Sequence, residues 1–184
     1  MFLPSANGWH FKNDFLPGPI FMGLGDASAG LCGGMVLGAL ARFRDGPEIP
    51  PDTAAPPPGT DLFRELRGWQ LRSVLRGLTG FLSARCRRDP FTWTVEKYLP
   101  RLRDDLAEGP VPLVLLWTLS LNPWRMSDNH QVLAYAADEA GISIYDPVWP
   151  DDDHVLIEID TAKREMRHNY YPTEPLLGIY SFGG

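Results

Sequence analysis

The sequence is poor in cysteine and contains no long hydrophobic run. Cys32 and Cys86 are the only thiols among its 184 residues. Two cysteines are too few for the disulfide framework of a small secreted domain, and neither has the partner spacing of a zinc site. The longest apolar stretch, VPLVLLWTLSL, is too short to cross a bilayer, and residues 1–14 lack the basic and apolar regions of a secretory signal. We therefore expect a reduced, cytoplasmic protein with no transmembrane segment.

The charge balance argues against nucleic acid as a partner. The formal net charge is −6, from 17 basic and 23 acidic residues. A nucleic-acid-binding domain normally has a basic surface, which this excess of acids does not favour. The apolar fraction of 44% is ordinary for a globular protein, and the length is sufficient for one domain with a proper core.

The first half of the chain has helical patterns. Residues 1–30 are rich in glycine, proline and aromatic residues, which predicts irregular chain wrapped over the surface. A helix is expected from about Leu31 to Arg44, followed by a proline-rich connector at 47–60. Residues 61–108 have further helical spacing, interrupted by glycines that leave open whether the first of these helices is continuous.

The second half has β patterns. VPLVLLWTLSL is a continuous apolar run, typical of a strand buried on both faces. Short β-rich runs follow, and DEAG separates the first two as a hairpin would. These runs are HQVLAYAA, GISIYD, HVLIEID, REMRHNYY and LLGIYSF. Helices followed by antiparallel strands predict an α+β fold, with a sheet of about five or six strands packed against N-terminal helices.

Cys32 is the first candidate for chemistry. It stands in GLCGGM, where the predicted helix begins. A helix N-terminus and a neighbouring imidazolium both lower a thiol pKa, and the thiolate is the nucleophilic form. Gly33 and Gly34 have no side chains, so we expect a substrate carbonyl to approach the backbone there, with helix-start N–H groups binding the oxyanion. Cys86, in ARCRRDP, is expected to be structural or on the surface.

His130 and Asp146 are the candidate base and the residue that orients it. His130 begins a β-rich run, and Asp146 ends the next one, directly before Pro147. A three-residue loop at 137–139 would place His130 opposite Asp146 across the hairpin, on the same face of the sheet. An imidazole oriented by a carboxylate can serve as a general base for a thiol.

The order Cys, His, Asp resembles the papain-like cysteine peptidase superfamily. The matching segments are GLCGGM, NHQVLAYA and ISIYDPVWPDDD, and EGPVPLVLLW is similar to a strand of the bacterial branch that includes bacteriocin-leader (double-glycine) peptidases. The resemblance implies one papain-like domain over residues 1–184, with a helical insert at 61–108. It also implies a hydrolase or acyltransferase with Cys32 as nucleophile, His130 as general base and acid, and Asp146 orienting the imidazole. No metal or organic cofactor is implied.

One position departs from that family. Papain-like peptidases usually have a glutamine about six residues before the cysteine, whose amide binds the oxyanion, and here that position is Asp26. An ionised carboxylate only accepts hydrogen bonds and would repel an oxyanion. Asn13 and Ser28 are the alternative donors in the same region.

Three hypotheses for function follow. The first is a cysteine-nucleophile hydrolase or acyltransferase acting on a peptide, amide or thioester. The second is a catalytically inactive module of the same fold that binds a peptide or small ligand, which Asp26 favours. The third is an interaction protein whose arginine-rich region, residues 61–90, docks an acidic partner.

Overall fold

The computed structural model describes residues 1–21, 24–27, 30–122 and 128–182. The helices come mainly first: α1 Pro4–Asn7, α2 Cys32–Asp45, α3 Asp61–Arg85, α4 Pro90–Trp93 and α5 Leu99–Glu108, with a π-helical turn over Thr94–Tyr98 between the last two. A small antiparallel pair, β1 Pro19–Phe21 and β2 Leu24–Asp26, lies before α2. The cysteine is thus on the second helix, because the unpredicted four-residue α1 precedes it.

Six antiparallel strands form the main, curled sheet. They are β3 Val111–Leu116, β4 His130–Ala137, β5 Gly141–Tyr145, β6 Leu156–Asp160, β7 Glu165–His168 and β8 Gly178–Ser181. Their order across the sheet is β7-β6-β5-β4-β3-β8. The predicted α+β class, with helices followed by an antiparallel sheet of five or six strands, is confirmed.

Helix α3 is continuous over its 25 residues. The side chain of Thr60 caps it by accepting the backbone N–H of Phe63, at 3.3 Å. Gly80 within it is needed for packing, since a Cβ there would lie 2.3 Å from the ring of Tyr180 on β8. Residues 47–60 before the helix form neither helix nor strand, as the proline-rich composition predicts.

The sheet buries an apolar cluster on each face. Val114 and Leu116 of β3 pack with α2, α3 and the N-terminal segment, while Leu113 and Leu115 pack with α5 on the opposite face. All six residues of β3 are buried. The continuous apolar run therefore reflects a strand covered on both faces, as predicted.

The N-terminal segment before β1 is largely irregular, as predicted, but its aromatic side chains lie in the core rather than on the surface. Phe2, Trp9, Phe11 and Phe15 are each at most 3% exposed and belong to the cluster beneath α2. The indole of Trp9 donates to the carbonyl of Met35 on α2, at 2.9 Å. Large aromatic side chains gain free energy from burial whatever the conformation of their backbone, so an irregular segment can still contribute to the core.

The β4–β5 hairpin differs from the predicted register by two residues. Leu133 pairs with Tyr145, so the register continued outward sets Asp146 opposite Val132 rather than opposite His130. The loop is 138–140, one residue later than predicted.

Two local features explain the difference. The carboxylate of Asp138 accepts the N–H groups of Ala140 and Gly141, at 2.8 and 3.2 Å, and Gly141 has a φ of 147°. These contacts fix the turn after Ala137, which belongs to β4. Next to the turn, Ala137 pairs with Ile142, three residues from the predicted partner; an irregularity between Ala134 and Ala136 then adds one residue to β4 and reduces the displacement to two. A displacement of two residues preserves the face on which each side chain lies.

Candidate active site

Cys32 is the first residue of α2 and is partly exposed. The chain enters the helix through Gly30, whose φ of 93° is the left-handed conformation that favours glycine. The side-chain oxygen of Asn13 accepts the backbone N–H of Leu31, at 2.6 Å, and holds this turn against the N-terminal segment. The N–H of Cys32 is among the first four of the helix, which have no carbonyl partner within it.

The glycines after Cys32 do not make room for a substrate, which corrects the sequence-based expectation. A Cβ at Gly33 would lie 1.6 Å from the side-chain oxygen of Gln131, and one at Gly34 would lie 2.2 Å from the backbone oxygen of Leu66. The N–H of Gly34 donates to the side-chain oxygen of Gln70 on α3, at 2.8 Å. The two glycines therefore allow α3 and β4 to pack closely against the start of α2.

The structure brings Cys32, His130 and Asp146 together. His130, at the start of β4, lies close enough to Cys32 for each side chain to shift the pKa of the other. Its Nε2 lies 2.7 Å from Oδ1 of Asp146, the residue directly after β5. This contact leaves Nδ1 as the ring nitrogen free for the sulfur. The backbone N–H groups of Gln131 and Gly33 also contribute to lowering the pKa of the Cys32 thiol.

The electrostatics favour the charged forms of all three groups. Burial alone would raise the pKa of Cys32, but the hydrogen bond and charge of His130 outweigh it and lower that pKa. Burial would lower the pKa of His130, but the Asp146 charge and hydrogen bond raise it well above its usual value. The pKa of Asp146 is lowered despite complete burial, because His130 supplies a positive charge and three donors bind the carboxylate. These shifts all favour a thiolate–imidazolium pair.

A second histidine, His168, binds the same carboxylate and was missed by the sequence analysis. Its Nε2 lies 3.0 Å from Oδ2 of Asp146, and both side chains are fully buried. The backbone N–H of Val148 completes the set by donating to Oδ1, at 2.8 Å. His168 is the last residue of β7, two strands beyond β5 in the sheet. The available signal was a histidine ending a β-rich run, directly before the turn-forming NYYP segment.

A cleft of about 490 Å³ opens beside His130. The other described residues that line it are Trp117, Thr118, Asp128, Val148, Tyr171 and Glu174. The lining side chains thus come from segments that are far apart in the sequence, between positions 117 and 174. The cleft gives a ligand access to His130, at the end of the sheet where β4 begins.

The structure treats differently the three residues considered for the oxyanion site, which are Asp26 and the alternative donors Asn13 and Ser28. Ser28 lies outside the described residues, and of Asp26 the structure describes only the backbone, at the end of β2. Asn13 lies at the start of α2, where its Oδ1 is engaged by Leu31. The remaining polar group of its side chain is the Nδ2 amide, which is a donor. Asn13 is therefore the candidate donor whose side chain the structure places beside the helix start.

The arginine-rich region is partly engaged within the chain. Arg72 lies over the ring of Trp69, and Arg87 lies over the ring of Trp93, with guanidinium-to-centroid distances of 4.6 and 3.6 Å. Arg64 forms an ion pair with Asp61. Docking of an acidic partner on this region stays a prediction.

Within the described ranges, no group of three or more His, Cys, Asp or Glu side chains could hold a metal ion. The same part of the chain contains no helix with the length and apolar character needed to span a membrane. Comparisons with protein-family models, with curated proteins and with solved structures found no match for this chain.

Proposed function

We propose that this protein is a cysteine-nucleophile hydrolase or acyltransferase of papain-like type. The observation that carries the proposal is the chain of contacts from Cys32 at the start of α2, through His130, to the buried Asp146. A thiol, an imidazole and an orienting carboxylate in hydrogen-bond contact are the parts that thiol acyl transfer requires. The cysteine on a helix and the other two residues on neighbouring antiparallel strands also support a papain-like arrangement.

The reaction proceeds in two steps. The Cys32 thiolate attacks the carbonyl carbon of a peptide, amide or thioester, and a carbon–sulfur bond forms. His130 then donates its proton to the leaving amine or thiol as the original acyl bond breaks. In the second step, water in a hydrolase or an amine in a transferase gives a proton to His130 and forms a bond to the acyl carbon. The carbon–sulfur bond breaks, the acyl product leaves, and the Cys32 thiolate and His130 imidazolium are restored. Asp146 acts through His130 by holding Nε2–H and stabilising the imidazolium.

The oxyanion formed in each step needs donors at the start of α2. The N–H of Cys32 is suited to this because it lies at the positive end of the 14-residue helix. The Nδ2 amide of Asn13 is the second donor that we propose, in place of the glutamine of papain-like peptidases. The cleft beside His130 would hold the acyl group or the leaving group.

A generic activated ester tests the proposal without knowledge of the substrate. Wild type and the variants Cys32→Ala, His130→Ala and Cys86→Ala are mixed with p-nitrophenyl acetate. Nitrophenol release is followed, and the acetylated residue is located by mass spectrometry. We expect a burst and acetylation at Cys32 in wild type and Cys86→Ala, and neither in the other two variants.

Two outcomes would contradict the proposal. The first is acetylation at the exposed Cys86 that equals acetylation at Cys32. The second is saturable binding of peptides in the cleft, unaltered by Cys32→Ala, with no acyl-cysteine formed. That second result would identify the protein as a binding module.

A further inference from the structure

His168 is buried, and its two hydrogen bonds show which ring nitrogen carries the proton. The backbone N–H of Tyr170 lies 3.1 Å from Nδ1 of His168 and donates to it. A backbone N–H can only donate, so Nδ1 carries a lone pair and the proton is on Nε2. That Nε2–H points to Oδ2 of Asp146, at 3.0 Å. His168 is thus a neutral donor in a fixed tautomer.

We propose that His168 is a positioning residue that holds the Asp146 carboxylate so that its other oxygen meets His130. The role rests on the proposed function, because it acts through Asp146 and His130 on Cys32. Asp146 receives one donor on Oδ2 and two on Oδ1. Without the Oδ2 contact, the carboxylate is free to rotate about its Cβ–Cγ bond, and Oδ1 loses its alignment with Nε2 of His130.

The surroundings of His168 hold its ring against Asp146. His168 ends β7, and its β6 partner in the register is the buried Ile157. The rings of Tyr170 and Tyr171 pack beside the imidazole, with centroids 6.1 and 4.9 Å away. These tyrosines and Asp146 are titratable groups in contact with His168, and Asp146 in turn contacts His130. The carboxylate is the one that meets its Nε2.

Two matched substitutions separate the two contacts of His168. His168→Gln places an amide N–H near the position of Nε2, so it keeps the donor to Asp146 and loses the acceptor for Tyr170. His168→Asn places its amide near Nδ1, so it keeps an acceptor for Tyr170 and loses the donor to Asp146. Alkylation of Cys32 by iodoacetamide is measured against pH in wild type and both variants, with Cys86 as the ordinary thiol in each sample.

We expect His168→Asn to raise the pH midpoint of Cys32 alkylation by about one unit, and His168→Gln to leave it near the wild-type value. One unit corresponds to roughly a tenfold smaller thiolate population below the midpoint. If His168 served only to accept the N–H of Tyr170, His168→Gln would be less thermally stable than His168→Asn, and neither variant would shift the midpoint of Cys32 alkylation. That result would overturn the proposal. A wild-type midpoint equal to that of Cys86 would overturn the proposed function, and this role with it.

Nitrogen NMR of the wild-type protein tests the same inference without a substitution that could prevent folding. The proposal requires that the His168 imidazole carry its proton on Nε2 and a lone pair on Nδ1 in the folded protein at neutral pH. A proton on Nδ1, or on both nitrogens, would contradict it, since the first could not donate to Asp146 and the second could not accept from Tyr170.

Discussion

Replacing Asp146 by asparagine changes the charge at the centre of the site with almost no change in shape. All three partners of the carboxylate are donors: the Nε2–H of His130, the Nε2–H of His168 and the backbone N–H of Val148. An asparagine has one acceptor oxygen and one NH₂ group, so its NH₂ must face one of these donors. Two donors that face each other cannot form a hydrogen bond, so one of the three buried donors loses its partner.

The consequence falls on the thiolate. Removing an opposite charge at this distance lowers a histidine pKa by roughly 1–3 units, and each unit is a factor of ten in population. With Asp146→Asn, the first proton therefore leaves the imidazolium rather than the thiol. The thiolate then forms only when the second proton is lost, at a pH near the ordinary cysteine pKa of about 8.5. The unpaired buried donor also lowers the free energy of unfolding by about 1–3 kcal/mol.

The assay is a titration of thiolate ultraviolet absorbance in a Cys86→Ser background, so that Cys32 is the only thiol. We expect the wild-type midpoint to lie below the ordinary value, and the Asp146→Asn midpoint to rise toward it. The midpoint is the decisive quantity, because a less acidic thiolate is intrinsically more reactive and single-pH rates partly hide the shift. A folded Asp146→Asn protein with an unchanged midpoint would refute the reasoning.

The same variant has a predicted pH dependence of stability. The folded-state pKa of Asp146 is below the unfolded value of about 3.9, chiefly because His130 and the other donors overcome the effect of burial. Its stabilisation is therefore complete above that unfolded value and is lost as pH falls through the lower folded value. Urea unfolding should show a wild-type advantage over Asp146→Asn that narrows below about pH 3.9. An advantage that is constant across this range would contradict the assignment.

Two further predictions concern packing. Gly34→Ala should lower the free energy of unfolding by about 1–3 kcal/mol, because its Cβ would lie 2.2 Å from the carbonyl oxygen of Leu66. Gly68→Ala is the control: nothing lies within 4 Å of a Cβ there, and alanine in the exposed face of α3 should stabilise by about 0.5–1 kcal/mol. Trp9→Ala should destabilise by about 3–5 kcal/mol, because the side chain is fully buried. Leu16→Ala, at a position 64% exposed, should stay within about 0.5 kcal/mol of wild type. Chemical denaturation measures all four, and equal effects within either pair would contradict the packing described.

The parts of the fold set by local patterns could be predicted from the sequence. Strand β4 begins at His130 and ends at Ala137, as the HQVLAYAA run indicates. The helix that starts at Cys32 is also where its spacing predicts it. The contact of His130 with Asp146 was anticipated through a register that is wrong by two residues. It was still reached because an even displacement leaves the two side chains on one face.

The parts set by distant segments could not. The role of Gly34 depends on Leu66, 32 positions away on another helix, and no local pattern reports that packing. His168 meets Asp146 only because β6 and β7 extend the sheet beyond β5, a pairing order that sequence spacing does not reveal. The burial of the N-terminal aromatic side chains could not be predicted, because these residues have no helical or strand period.

The central claim is that Cys32 is an activated nucleophile, and one labelling experiment tests it most directly. Wild type and His130→Ala are treated with iodoacetamide at mildly acidic pH, and peptide mass spectrometry gives the rate at each cysteine. We predict that Cys32 reacts faster than Cys86 in wild type and loses this advantage in His130→Ala. Labelling of Cys32 that is no faster than that of Cys86, and unchanged by His130→Ala, would contradict the claim.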